Sequence, residues 1–200
     1  MLKIINEEDG MTDMIKYYPW GGDFTSANPK STVAVVLLNT SFIPSDNVAI
    51  YGHLKTENIG IEKIIANVIS NPHIRYVLIC GDEIRGHRSG QSLIALHENG
   101  IDDQHRIINA PGAIPYIENL DNDAIHRFQR QVQIKNLIDI SDEKKISETI
   151  EKMLMQKRKV FGKPFIAIRL VKESASSIDD KRALHSKIII DYMGNVKKRP

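Results

Sequence analysis

Cysteine is almost absent: Cys80 is the one thiol in 200 residues. One cysteine cannot build a disulfide framework or a multi-cysteine zinc site, and a reducing cytoplasm suits it best. Long apolar runs are missing too. Nothing approaches the roughly 18–20 residues that would span a bilayer, and runs such as Val33–Leu38 have the length of a buried strand. The amino terminus, MLKIINEEDGMTDM, is too acidic and too broken for a secretory signal. Neither sign of charge dominates. The 27 basic and 25 acidic residues leave a net charge of +2, which does not point to nucleic acid as a bulk electrostatic partner. Several chemical signatures are also lacking. The chain has no phosphate-binding G-x-x-x-x-G-K-[ST] loop, no G-x-G-x-x-G after a strand and no G-x-S-x-G elbow. It also has no helical His-x-x-x-His pair that would suggest zinc.

What is present suits one globular core. Hydrophobic residues make up 42% and charged residues 26%. Val33–Asn39 and Ile74–Cys80 are continuous, β-branched apolar runs, the mark of strands covered on both faces. Shorter runs at Val48–Tyr51, Arg106–Ala110 and Ile134–Ile140 also read as strands. Between them lie amphipathic helices. Ile61, Ile64, Ile65 and Val68 form one stripe, with Thr56 or Asn58 as N-cap and Asn71-Pro72 as the stop. Leu93, Ile94 and Leu96 form a second, closed by Asn99-Gly100. Ile125, Phe128 and Val132 form a third, capped near Asp121 or Asn122, and Asp142–Gln156 forms a fourth. Strands alternating with helices predict an α/β fold with a mostly parallel sheet flanked by helices. Residues 1–30 read as an irregular lead-in that packs over an edge of the core. The expected division is a domain over residues 1–160 and a packed C-terminal extension over 161–200. In that extension Phe165–Val171 and Lys187–Tyr192 look like two strands, and the final KKRP like a frayed end.

In an open parallel sheet, ligands bind beyond the carboxyl ends of the strands. Three loops there are unusual: His53–Gly60, Gly81–Ser92 and Asn109–Tyr116. The second carries glycines at 81, 86 and 90, which let backbone approach a bulky ligand. His87 lies among them and is well placed to reach a ligand or a metal. Its second ring nitrogen needs an orienting partner, for which Asp82 and Glu83 are the nearby candidates. The plain alternative is a surface histidine without a role. Cys80 reads as a small buried hydrophobe rather than a nucleophile.

The strings KTENIGIEKIIANVISNPHIRYVLICG, GHRSGQSLIALHENG and PGAIPYIENL occur in this order. Together they resemble the corrinoid-carrying subunit of the methyltetrahydromethanopterin–coenzyme M methyltransferase, also called tetrahydromethanopterin S-methyltransferase. That enzyme is a membrane-bound, sodium-pumping complex of methanogenic archaea. The resemblance runs from about Tyr18 to about Asp139. It implies a Rossmann-like domain that holds a cobamide, with the histidine of G-H-x-x-G-Q as the lower axial ligand to cobalt. Here that string is Gly86-His87-Arg88-Ser89-Gly90-Gln91, so the resemblance makes His87 the metal ligand. It implies a cofactor cradle of Thr56, Glu57, Asn58 and Gly60, of Gly86, His87, Gly90 and Gln91, and of Gly112, Ala113, Ile114, Pro115 and Tyr116. The activity implied is methyl transfer on cobalt, from methyl-tetrahydromethanopterin to coenzyme M, with further subunits of the complex as partners. Beyond the cobalt ligand no catalytic residue is expected on this chain alone. The alternative is a non-catalytic soluble corrinoid carrier or sensor.

There are departures. Members anchored in the membrane carry a C-terminal transmembrane helix, and no run of that length and apolarity occurs in these 200 residues. Gly52-His53-Leu54 stands where the family tends to have G-P-C, and Arg88 stands where it tends to have an apolar residue. The methionine-synthase type of corrinoid domain uses D-x-H-x-x-G, and Arg85 occupies its aspartate position. The expectation is therefore a cytoplasmic protein, free of nucleic acid, that meets a membrane only through partner subunits.

Overall fold

The computed structural model describes residues 17–167, 188–190 and 196–198. The chain divides into two compact units, Met1–Leu170 and Val171–Pro200.

The first unit is built on a five-stranded sheet of order β1-β3-β2-β4-β5. Its strands are β1 (Phe24–Ser26), β2 (Val33–Leu37), β3 (Ile50–His53), β4 (Tyr76–Gly81) and β5 (Gln133–Ile138). The last four run parallel, with Ala34 against Ile50, Val35 against Leu78, and Leu78 against Lys135. The expected α/β class with a mostly parallel sheet is what the chain adopts. β2 and β4 are buried along their whole length, because helices cover both faces. Alternate residues serve the two sides. Ala34, Val36, Val77 and Ile79 pack on one face beneath α1 (Ile59–Ser70), α2 (Ser89–Asn99) and α3 (Asn122–Gln131). Val33, Val35, Leu78 and Cys80 face Ile146, Ile150 and Met153 of α4 (Glu143–Met155).

The helix limits follow local chemistry. Asn58 Oδ1 accepts from Ile59 N at 2.7 Å, Asp121 Oδ1 from Ala124 N at 2.8 Å and Asp142 Oδ1 from Lys145 N at 3.2 Å. At the end of α1 the Val68 and Asn71 carbonyls, which also take Asn71 N and Ile74 N, meet Gln131, which is fully buried. Its Nε2 donates to the carbonyls of Val68, Asn71 and Ile74 at 2.9–3.2 Å.

Four expectations are corrected. Arg106–Ala110 is not a strand of the sheet. It makes only isolated bridges, Ile101 with Ile107 and Arg106 with Tyr116. His105 and Asn109 have φ of 62° and 61°, which interrupts an extended run on both sides. Residues 1–30 are not wholly irregular, since β1 pairs antiparallel with β3 at the sheet edge. The lead-in before it does pack on the core: Tyr18 is buried, and Asn67 bonds Trp20 N and Gly21 O. In the second unit β6 (Ile188–Ile190) pairs antiparallel with β7 (Val196–Lys198), so Lys197 and Lys198 belong to a strand rather than a frayed end. Phe165–Ala167 carries no strand, and the rest of the run to Val171 lies outside the described residues. The expected strand Lys187–Tyr192 is seen at Ile188–Ile190 alone. Its other residues, and most of the 161–200 extension, lie outside the described ones.

Two outcomes follow from this core. Gln131→Met keeps the volume but strands buried carbonyls, so urea unfolding should show a loss of about 2–3 kcal/mol. Burial pushes the Cys80 thiol up to about 12. The native chain should therefore resist a thiol reagent at mildly alkaline pH and react fully once unfolded.

Candidate functional site

The connections leaving β2 and β4 turn to opposite sides of the sheet. The carboxyl ends of these neighbours thus form the topological switch point of the parallel strands. A cleft of about 650 Å³ opens there. Leu38 and Asn39 leave β2 into it, His53 and Lys55 leave β3, and Asp82–Arg85 leaves β4. Asp139, just past β5, completes the wall.

The loop from Gly81 to Arg88 is fixed by one carboxylate. Glu83 accepts from Ile84 N, Gly90 N and Gln91 N at 2.8–3.1 Å. It thereby caps α2, whose own N-cap residue, Arg88, sits at φ 45° and offers no side-chain bond. Asp139 Oδ1 in turn accepts from Glu83 N at 3.0 Å. Glu83 is thus spent on the loop and is not the partner of His87. Asp82 is not that partner either.

That partner is Glu57. His87 Nδ1 lies 2.8 Å from Glu57 Oε2, and the other carboxylate oxygen accepts from Ile114 N at 2.8 Å. Glu57 is 2% exposed, whereas the side chain of His87 is 54% exposed. Burial alone would raise the Glu57 carboxyl. The N–H groups of its own residue and of Ile114, together with His87, outweigh that and hold it below the usual range. An ionised Glu57 fixes the tautomer: Nδ1 carries the proton and donates it. Nε2 then presents a lone pair and has no protein partner among the described residues.

Gly112 lies against this pair. A Cβ there would sit 2.6 Å from the His87 carbonyl oxygen, 2.7 Å from Ser92 Oγ and 2.9 Å from Glu57 Cγ. Glu57, His87, Gly112 and Ile114 are therefore one cluster joining three loops. The other expected residues divide. Gly86 faces open space, and its demand is a φ of +85°. Gly60 and Gly90 pack internally, against Leu54 and Leu38. Thr56 Oγ1 caps Gly60 N and Asn58 caps Ile59 N, so the first turn of α1 does not offer these N–H groups to a ligand. Ala113 and Ile114 are exposed, Pro115 is buried, and Tyr116 lies under the Arg106 guanidinium at 5.1 Å.

Sequence reasoning misses three features. Glu57 is expected in the cradle but not as the histidine's partner, because thirty residues separate them. Glu62, 1% exposed, accepts from the backbone of Glu118 and Asn119 and from Asn119 Nδ2, and so ties down the third loop. The Ser89 hydroxyl is buried with no partner, beside His87 on the first turn of α2. Among the described residues no three His, Cys, Asp or Glu side chains gather to hold a metal ion. None of the described helices is long and apolar enough to cross a membrane.

Comparison with known proteins matches residues 13–198 to the family model MtrA, the A component of tetrahydromethanopterin S-methyltransferase. A protein of Methanosarcina acetivorans, provisionally named the A component of methyltransferase Mtx, is 50% identical over 133 residues, 66% of this chain and 68% of its own length. Its namesake in Methanosarcina barkeri is 43% identical over 155 residues, 78% of this chain and 79% of its own. The A 1 component of tetrahydromethanopterin S-methyltransferase in Methanothermobacter marburgensis is 51% identical over 139 residues, which are 66% of this chain and 58% of that protein. The family match and these identities agree: the chain belongs to the MtrA family of tetrahydromethanopterin S-methyltransferase, a methyltransferase component.

Proposed function

We propose that the chain holds a cobamide at the carboxyl edge of its sheet and serves methyl transfer between methyl-tetrahydromethanopterin and coenzyme M, with partner subunits. The observation that carries this reading is His87. Its Nδ1 is committed to a buried carboxylate and its Nε2 is free. Metal-binding histidines are oriented in this way. If a cobamide is held here, His87 Nε2 would be the chain's donor to its metal, and a cluster of protein ligands would not be needed.

The neighbouring residues fit such a group. Gly112 leaves the backbone of the third loop in contact with the His87 carbonyl, where any side chain would collide. Ser89 offers a buried hydroxyl that the protein leaves unpartnered. The cleft beyond β2, β3 and β4 gives room at the same edge. When bound, the cobamide supplies a cobalt that can accept a methyl group and release it to a thiol. The chain's own part is to present Nε2, to keep the proton on Nδ1 through Glu57, and to hold three loops in register. It lacks a thiol-activating zinc site among the described residues, so thiol activation falls to another protein of the complex.

The first test is the visible spectrum of protein purified from a corrinoid-supplied source. A colourless protein that takes up no cobamide would overturn the proposal. His87→Ala should remain folded, because the side chain is half exposed, and should alter the spectrum of the oxidised cobalt states. Identical spectra for wild type and variant would remove His87 as ligand. Glu57→Ala should weaken cobamide binding by roughly 10–100-fold, with the spectral change of a misoriented imidazole. Gly112→Val should reduce uptake by displacing the third loop, which titration with free cobamide would detect.

A further inference from the structure

The opposite edge of the sheet carries an unrelated feature. No acidic residue occurs from Lys152 to Ala167, whereas Lys152, Lys157, Arg158, Lys159 and Lys163 all do. This segment follows α4 and is pinned at the amino-terminal ends of β4 and β5. Arg75 Nη1 donates to the Lys159 carbonyl and Phe161 N to the Pro72 carbonyl at 2.9 Å. Arg127 Nη2 donates to the carbonyls of Phe161 and Lys163 at 2.7 and 2.9 Å. Arg158 bonds Tyr76 Oη at 2.9 Å and Gln133 Oε1 at 2.9 Å, on the first residues of β4 and β5. Arg75 and Arg127 both stack on Phe161, at 5.0 and 4.7 Å.

None of these guanidinium groups meets a carboxylate. The ion pairs among the described residues are Lys55–Asp23 and His87–Glu57. The platform is thus a set of cations held by carbonyls and rings, with its positive charge uncompensated. Arg75 and Arg127 sit below their ordinary range, through burial first and through neighbouring arginines second.

The same segment exposes aliphatic side chains. Met155 is 76% exposed, Val160 47% and Ile166 52%, three of the seven large hydrophobics that the described residues leave exposed. Exposed lysines with interspersed aliphatic side chains are the composition of a surface that adsorbs to anionic lipid. Single-stranded nucleic acid asks instead for exposed aromatic rings on which bases stack, and the exposed groups here are aliphatic. A peptide partner asks for a groove, whereas Val160 and Ile166 stand outward on an irregular segment and Met155 at the end of α4.

We infer that the segment 155–166 is a peripheral membrane-binding surface for anionic headgroups, with Met155, Val160 and Ile166 entering the interface. Lys157, Arg158, Lys159 and Lys163 meet the headgroup phosphates. Adsorption through this edge leaves the cleft at the other edge facing away from the membrane. This departs from the expectation that the protein meets a membrane only through partners, and it does not depend on the cobamide reading.

The test is co-sedimentation of the full chain with phosphatidylcholine vesicles, with and without phosphatidylglycerol. Binding should require phosphatidylglycerol and fall as salt rises. Lys157→Gln and Lys159→Gln should each lower the partition coefficient roughly fivefold. Met155→Ser with Val160→Ser should lower it severalfold while leaving the salt dependence unchanged. All four positions are exposed, so thermal melts of the variants should match wild type. Equal sedimentation with both vesicle types, or none, would overturn the inference. So would tight binding to polyglutamate or RNA without vesicle binding, which would assign the cations to an acidic protein or to nucleic acid.

Discussion

Everything at the carboxyl edge depends on three carboxylates that take backbone N–H groups from the loops. A buried carboxylate is tolerable only when hydrogen bonds replace its water. Here the replacement comes from loop backbone. Glu57 takes the Ile114 N–H, Glu62 takes those of Glu118 and Asn119, and Glu83 takes those of Ile84, Gly90 and Gln91. Each acid sits near the start of a helix or a loop and reaches a segment distant in sequence or in direction. The loops would otherwise be free to wander, since no strand pairing holds them beyond isolated bridges.

Much of this fold was legible because its signals are periodic. β2 and β4 announce themselves as β-branched apolar runs. The α1 stripe falls at 61, 64, 65 and 68, and Asn58, Asp121 and Gly100 stand where caps belong. The unreadable parts are those whose cause is tertiary. β1 is three residues long and exists because the edge of β3 offers unpaired groups. Residues 106–110 carry apolar side chains with strand-like composition, but left-handed residues at 105 and 109 deny them a partner.

The candidate site divides along the same line. His87 could be singled out from its glycine-rich loop above a sheet, a local pattern. Its partner could not, because proximity in sequence favoured Asp82 and Glu83 and the fold brings Glu57 instead. The reason is a competition. Glu83 stands within reach of two N–H groups, of Gly90 and Gln91, left bare by an α2 terminus whose N-cap is an arginine, and of Ile84 N in its own loop. Those donors hold Glu83, and His87 turns to the acid of the neighbouring loop. The same logic explains why the α1 terminus is closed. Thr56 and Asn58 satisfy it from within, as good capping residues do.

A folded chain leaves few buried or oriented polar groups without partners, so those that remain carry information. In these three loops the backbone donors and the acids are matched to one another, and Gly112 is packed to contact on three sides. Two groups stand outside this matching, the Nε2 of His87 and the hydroxyl of Ser89, two residues apart at the head of α2. Neither stabilises the protein where it stands. Holding Nε2 outward costs the burial of a carboxylate, and a lone serine oxygen in the core costs about 1–3 kcal/mol. Both stand at the carboxyl edge, where we propose that a cobamide is held. The proposed cobamide would ask the chain for a nitrogen donor of this kind, since it brings most of its own metal coordination, whereas a bare ion must draw every ligand from protein.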